Sequence, residues 1–167
     1  FMVVGIIDHE TGTRDIRRLG GLMHLMPISF TLTVIGSFAM AGLPPFNGFL
    51  SKEMFFTAVL NVSSMTVFNA EVIGLAIPVI AWIASVFTFV YSMILVFKTF
   101  RGKNKPEKLG KVVHEAPIGM LISPIVLGSL VIIIFFFPNV LSQYLLKPAL
   151  HAVVPTLGDA GELKIKI

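Results

Sequence analysis

Residues 39–56, AMAGLPPFNGFLSKEMFF, decide how the chain is read. They lie inside a long and nearly uncharged run, yet they hold two consecutive prolines, Pro44 and Pro45, and the ionisable pair Lys52 and Glu53. From Leu19 to Ser51 the only ionisable residue is His24, and neither Val72–Phe97 nor Ala116–Leu146 contains an Asp, Glu, Lys or Arg. A helix needs about 20 mostly apolar residues to cross hydrocarbon, and all three runs are long enough. Charged residues make up only 13% of the chain and hydrophobic ones 55%, whereas soluble domains carry roughly 25% charge to keep their surfaces solvated. The expected class is an all-α integral membrane protein seated in a lipid bilayer.

Working outward from the prolines, the surrounding element begins near Pro27, a residue tolerated in a helix's first turn, and runs to about Val62. As one straight helix it would be roughly 54 Å long at 1.5 Å per residue, against a hydrocarbon core of about 30 Å. The sequence GLPPFNG is where it must yield. Proline removes a backbone donor and clashes with the preceding turn, and Leu43, lying before a proline, is pushed out of the α region. The expectation is one discontinuous membrane helix over 27–62, broken at Pro44, Pro45 and Gly48 into halves of about 28–43 and 49–62.

The other boundaries follow from composition. Residues 1–7 are apolar but too few to span, and read as the end of a preceding helix in a fragment of a longer protein. A charged connector covers 8–26, in which Thr13 is placed to cap one amphipathic turn that the Gly20–Gly21 pair stops. A loop is expected at 63–73, a second span at 74–97, a basic loop at 98–116, a third span at 117–146 and a polar tail at 147–167. The expected total is about three membrane helices plus the N-terminal stub. Lys98, Arg101, Lys103, Lys105, Lys108 and Lys111 crowd one loop, which puts it in the cytoplasm by the positive-inside rule. If 27–62 crosses once, the connector with Arg14, Arg17 and Arg18 is cytoplasmic too. The loop at 63–73 and the tail then face outward. A re-entrant hairpin at 44–48 would strand those three arginines outside, so a single crossing is preferred.

The chemistry gathers at the break. Halfway along a spanning element, Lys52 and Glu53 would lie near mid-membrane depth, where an ionisable group costs on the order of 3 kcal/mol and usually faces a bundle interior or a hydrated cavity. Lys52 is placed to bond the carbonyls freed where the first half-helix ends, near Ala39–Leu43. Glu53 suits the positive N-terminal end of the second half-helix. Burial and that dipole favour a neutral amine, while Glu53 and free carbonyls favour the ammonium. A lysine balanced in this way can serve as a proton relay; Glu53, about 100° round the helix, need not face it, and would tune it or take part in the exit route. The competing reading has the break nearer one membrane face and Lys52 snorkelling to water.

Other signals are weaker. Ser85, Thr88 and Ser92 recur at spacings of three and four; such a stripe can line a water path, and equally it can glue helices together. Asp8, His9, Glu10 and His24 lack metal-binding spacing, so no metal site is expected. His114 and Glu115 are placed at the start of the last span, at the interface. The formal charge of +4 resides mainly in two loops and reflects membrane topology rather than nucleic-acid binding. No phosphate loop, nucleophile–base pattern or cofactor ligand set occurs, so no cofactor and no enzymatic chemistry are expected.

Three stretches carry a family resemblance: DHETGTRDIRRLGGLMHLMP, SFAMAGLPPFNGFLSKEMFF and HEAPIGMLISPIVLGSLV. Together they resemble the proton-conducting antiporter family, which unites Mrp-type multisubunit sodium/proton antiporters with the antiporter-like membrane subunits of respiratory complex I. The wording of DHETGTRDIRRLGG and GLPPFNGFLSKEMF is closest to the A-subunit branch of the Mrp type. The resemblance implies two inverted five-helix repeats, each with a discontinuous helix, a recurrent transporter design. It also implies that Lys52 matches the pathway lysine of the second repeat and Glu53 the acidic position after it. It implies sodium and protons as cargo, small membrane subunits as partners, and the bacterial cell membrane as location. The alternatives are a proton-pumping subunit of complex I and a structural membrane subunit in which Lys52 only anchors the broken helix.

Overall fold

The computed structural model describes residues 1–63, 71–102 and 112–153. Much of the expected 63–73 loop, basic loop and tail therefore lies outside the described residues. Among the described residues every regular element is helical. Helix α1 is Met2–Thr11, α2 Pro27–Ala41, α3 Asn47–Ser63, α4 Glu71–Phe100 and α5 Ile118–Phe136. A short α6, Pro138–Leu141, runs through a π-helical turn at Ser142–Leu146 into α7, Lys147–Val153.

Several boundaries differ from the sequence reading, each for a local reason. Helix α1 continues past residue 7 into the expected connector, and stops only where Gly12 takes a left-handed φ of 67°. The connector then makes a turn over 16–18, followed by a short 3-10 helix at Leu22–His24. The Thr13 hydroxyl accepts from the Asp15 N–H, and the Asp15 carboxylate accepts from both the backbone and the guanidinium of Arg17. Those bonds from Arg17 hold the Asp15 carboxyl below the usual carboxylate range. Helix α4 begins earlier than residue 74, which leaves Pro78 inside it. The expected 117–146 span divides at Phe136, before Pro138, whose ring supplies no N–H to continue the ladder.

Two helices, over Ala76–Phe100 and Ile118–Phe136, are long and apolar enough to cross a membrane unaided. The expected 27–62 span is divided: α2 has 15 residues and α3 has 17, about 22 and 25 Å long at 1.5 Å per residue. Neither half alone matches a core of about 30 Å. Both halves pack on α4. The Phe30 ring packs on Phe100 at 5.2 Å, the Tyr91 hydroxyl reaches the Met40 sulfur, and the Lys52 amine bonds Ser85. Phe56 and Trp82 line the same cleft as Lys52 and Ser85.

The buried core lies at one end of the bundle. Ile6, Ile7, Leu22 and Met26 pack there with Phe100, Val113, Ala116 and Leu121. Along α4 and α5 most of the apolar surface faces outward: only 11% of the α4 stretch and 17% of the α5 stretch is buried within the chain. Contiguous apolar faces of this kind belong against lipid or other protein.

The end of α2 is built by Gly42 more than by the prolines. At a φ of 78°, Gly42 donates to the Ala39 carbonyl while Leu43 donates to Phe38, the paired bonds of a Schellman stop. The prolines follow the stop, where they cannot restart the helix; the Pro44–Pro45 peptide is cis. Gly48 is not a breaker. It lies in the first turn of α3, pressed so closely on Ala39 that a Cβ would overlap that residue's carbonyl oxygen. Gly48→Ala is therefore expected to destabilise the protein by about 1–3 kcal/mol, the usual cost of overpacking. Gly36→Ala, where a Cβ would meet nothing within 4 Å, should be neutral. Thermal unfolding of the two variants in detergent checks the contrast.

Candidate functional site at the helix break

An α-helix leaves its last four carbonyls without intrahelical donors. In α2 the Schellman bonds occupy those of Phe38 and Ala39. Lys52, from the second turn of α3, supplies the donor for Ala41: its Nζ lies 2.8 Å from that carbonyl oxygen. The same Nζ donates to the Ser85 hydroxyl of α4 at 2.9 Å. Three helices thus meet at one amine. A cation on the C-terminal end of α2 also complements that helix's dipole.

Glycine makes the approach possible. The methylene stem of Lys52 lies directly over Gly42, where a Cβ would collide with it. The positive φ and this close approach both require glycine at that position. The amine borders an open cleft of about 550 Å³ whose walls include Glu53, Phe56, Trp82 and Ser85.

The arrangement suits proton handling. An ammonium carries three donors, of which two are committed to Ala41 and Ser85. The remaining one is available to the cleft. A hydroxyl such as that of Ser85 both accepts and donates, so it can hand a proton on.

The sequence-derived candidates are brought together only in part. Glu53 borders the cleft on the exposed side of α3, and among the described residues no ion pair joins it to Lys52. Side chains about 100° apart on a helix do not face one another. Nor does Glu53 benefit from the α3 dipole. With α3 starting at Asn47, its first turn holds no acid, and the dipole's influence falls off within that turn. Of the stripe on α4, only Ser85 reaches Lys52. Thr88 donates to the Ala84 carbonyl and Ser92 to the Thr88 carbonyl, bonds that close each hydroxyl on its own helix. Pro44 and Pro45 are exposed in the connection, and their side chains are absent from the cleft wall.

Sequence reasoning missed a second polar centre at the opposite end of α2. Glu115 does not begin the last span, since α5 starts at Ile118. Its carboxylate instead caps α2, accepting from the Ile28 N–H at 2.8 Å and the Ser29 hydroxyl at 2.6 Å. Nearby, Glu10 is buried with His9 at 3.0 Å and His114 at 3.3 Å from its carboxylate oxygens. Asp8 lies apart from this group, paired with Arg14 at 2.8 Å. The local signals were slight: a serine two residues after Pro27, and acids beside histidines. The partners are 86 and 87 residues apart, beyond any periodicity argument.

Comparison with known proteins agrees with the resemblance read from the sequence. A family model described as "NADH:quinone oxidoreductase/Mrp antiporter, TM" matches residues 1–78. The chain is 64% identical over 98% of its length to the A subunit of the Na(+)/H(+) antiporter of Alkalihalophilus pseudofirmus, of which it covers 20%. It is 62% identical over 97% of its length to the corresponding A subunit of Bacillus subtilis, again covering 20% of that protein. Against the A1 subunit of the Staphylococcus epidermidis antiporter the identity is 51% over 99% of the chain and 21% of the relative. The chain thus spans about a fifth of the length of the curated relatives it matches. Nearly all of it aligns at these identities, so the chain is similar along almost its whole length to A subunits of sodium/proton antiporters.

Proposed function

We propose that the chain forms part of a membrane subunit of a multisubunit sodium/proton antiporter, and that Lys52 relays protons at mid-membrane depth. On this reading α2 and α3 are two halves of one discontinuous span in the bacterial cell membrane, within an inverted-repeat fold completed by other segments. Small antiporter subunits are its partners, and sodium and protons its cargo. One observation carries the reading: an amine held by a helix-end carbonyl and a hydroxyl, with a donor left over for a cleft. A lysine at membrane depth is costly, and such residues mark ion pathways and proton relays. The relatives are named as sodium/proton antiporter subunits, which disfavours the complex I alternative.

The contact with Ala41 equally suits a structural clip that merely closes the end of α2. Two substitutions separate clip from relay. Lys52→Ala removes both functions. Lys52→Arg keeps a cation and donors but cannot give up its proton, since the guanidinium stays charged. Sodium/proton exchange in everted vesicles should fall at least tenfold in both variants, about 1.4 kcal/mol or more, while Lys52→Arg assembles normally. Full exchange by assembled Lys52→Arg would leave only the clip.

The polar stripe sorts in the same assay. Ser85→Ala should slow exchange several-fold without abolishing it, because the Ala41 contact survives. Thr88→Ala and Ser92→Ala should exchange at the parental rate, since their hydroxyls serve their own helix. Exchange falling equally in all three would point to a continuous polar path along α4.

A further inference from the structure

The two ends of α2 are both held by charge from outside the helix. Lys52 sits on its C-terminal carbonyl, and the Glu115 carboxylate sits on its N-terminal donors. Met26, the residue before the helix, provides no side-chain cap, and Pro27 has no N–H to offer. Glu115 takes over that role from the segment 112–117. One carboxylate oxygen accepts from the Ile28 N–H; the other accepts from the Ser29 hydroxyl at 2.6 Å and its N–H at 3.4 Å. Ser29 is fully buried.

The segment bearing Glu115 is itself anchored. Val113 and Ala116 are buried in the core, and His114 reaches the buried Glu10. An anchored carboxylate bonded to two successive N–H groups and a hydroxyl fixes both the position and the axial rotation of α2. The helix spans about 22 Å at 1.5 Å per residue, and at its far end the Ala41 carbonyl is one hydrogen bond from Lys52. A packed helix transmits such a constraint because it is close to rigid along its axis.

We infer that Glu115 is a positioning residue for the proposed proton step: by capping α2 it sets the placement of the Ala41 carbonyl against the Lys52 amine. This rests on the relay reading above. Glu53 is the other charged group along the cleft, while His9, Glu10 and His114 surround Glu115. Releasing the cap changes how well the ammonium is solvated by the carbonyl, and with it the pH dependence of exchange.

The test measures exchange rate against pH for the complete antiporter carrying Glu115→Gln, Ser29→Ala or Lys52→Arg, with assembly measured in parallel. Simple loss of folded protein scales the profile without moving it. Glu115→Gln is expected to lower the maximal rate several-fold and to displace the pH profile by about half a unit or more. Ser29→Ala should displace it in the same direction by less. If Glu115→Gln does not assemble, Ser29→Ala decides: an unmoved profile in that variant overturns the inference. Unmoved profiles in both, with Lys52→Arg inactive, overturn the positioning role alone. Full exchange by Lys52→Arg overturns the relay reading and the positioning role with it.

Discussion

A helix that ends among apolar surroundings has nowhere to place its last carbonyls, and the end of α2 is organised around that constraint. Water would satisfy them on a soluble surface. Here a Schellman stop takes two of them and the Lys52 amine takes Ala41. Much of the local sequence serves this arrangement. Gly42 supplies the left-handed turn and the floor beneath the lysine stem, and Gly48 lets α3 start against the Ala39 backbone. Ser85 gives the amine its second acceptor. The same Ala41 carbonyl closes the helix end and holds the amine, so structural and proposed proton-handling roles share one contact.

Charge at the two ends of α2 links that site to the rest of the chain. An anion at the N-terminus and a cation at the C-terminus both complement the helix dipole, and each comes from a different part of the sequence. The packed core lies around the N-terminal end, where α1, α4 and α5 meet the 112–117 segment. Away from that end, α4 and α5 present bare apolar faces. The chain is therefore anchored at one end and open along its flanks, as suits a segment that makes up a fifth of its relatives' length.

How far the sequence could be read differs from feature to feature. Uncharged runs announced the long apolar helices over Ala76–Phe100 and Ile118–Phe136, because hydrocarbon length is a one-dimensional constraint. The interruption near residue 44 followed from span arithmetic and proline chemistry, although the stop itself belongs to Gly42, whose positive φ is a local backbone outcome. Lys52 bonding a freed carbonyl was legible for the same reason: a helix end and a cation lay a few residues apart. Glu53 at a helix N-terminus was misread because α3 starts at Asn47, earlier than the glycine at 48 suggested. The serine and threonine stripe on α4 was visible as spacing, yet spacing does not tell which hydroxyl turns to its own backbone.

What the sequence determined by itself was an all-helical apolar chain, its two long apolar helices, the need for a break and the identity of the charged residue beside it. All of these rest on local or additive physics: apolar length, backbone donors, the cost of a buried charge. Tertiary structure alone decided that Ser85 meets Lys52 across 33 residues and that Glu115 caps α2 across 87. It also decided that His114 joins His9 at the Glu10 carboxylate from more than 100 residues away. Such contacts depend on how helices pack and rotate against one another, and no periodicity along the chain encodes which two distant side chains will share a hydrogen bond.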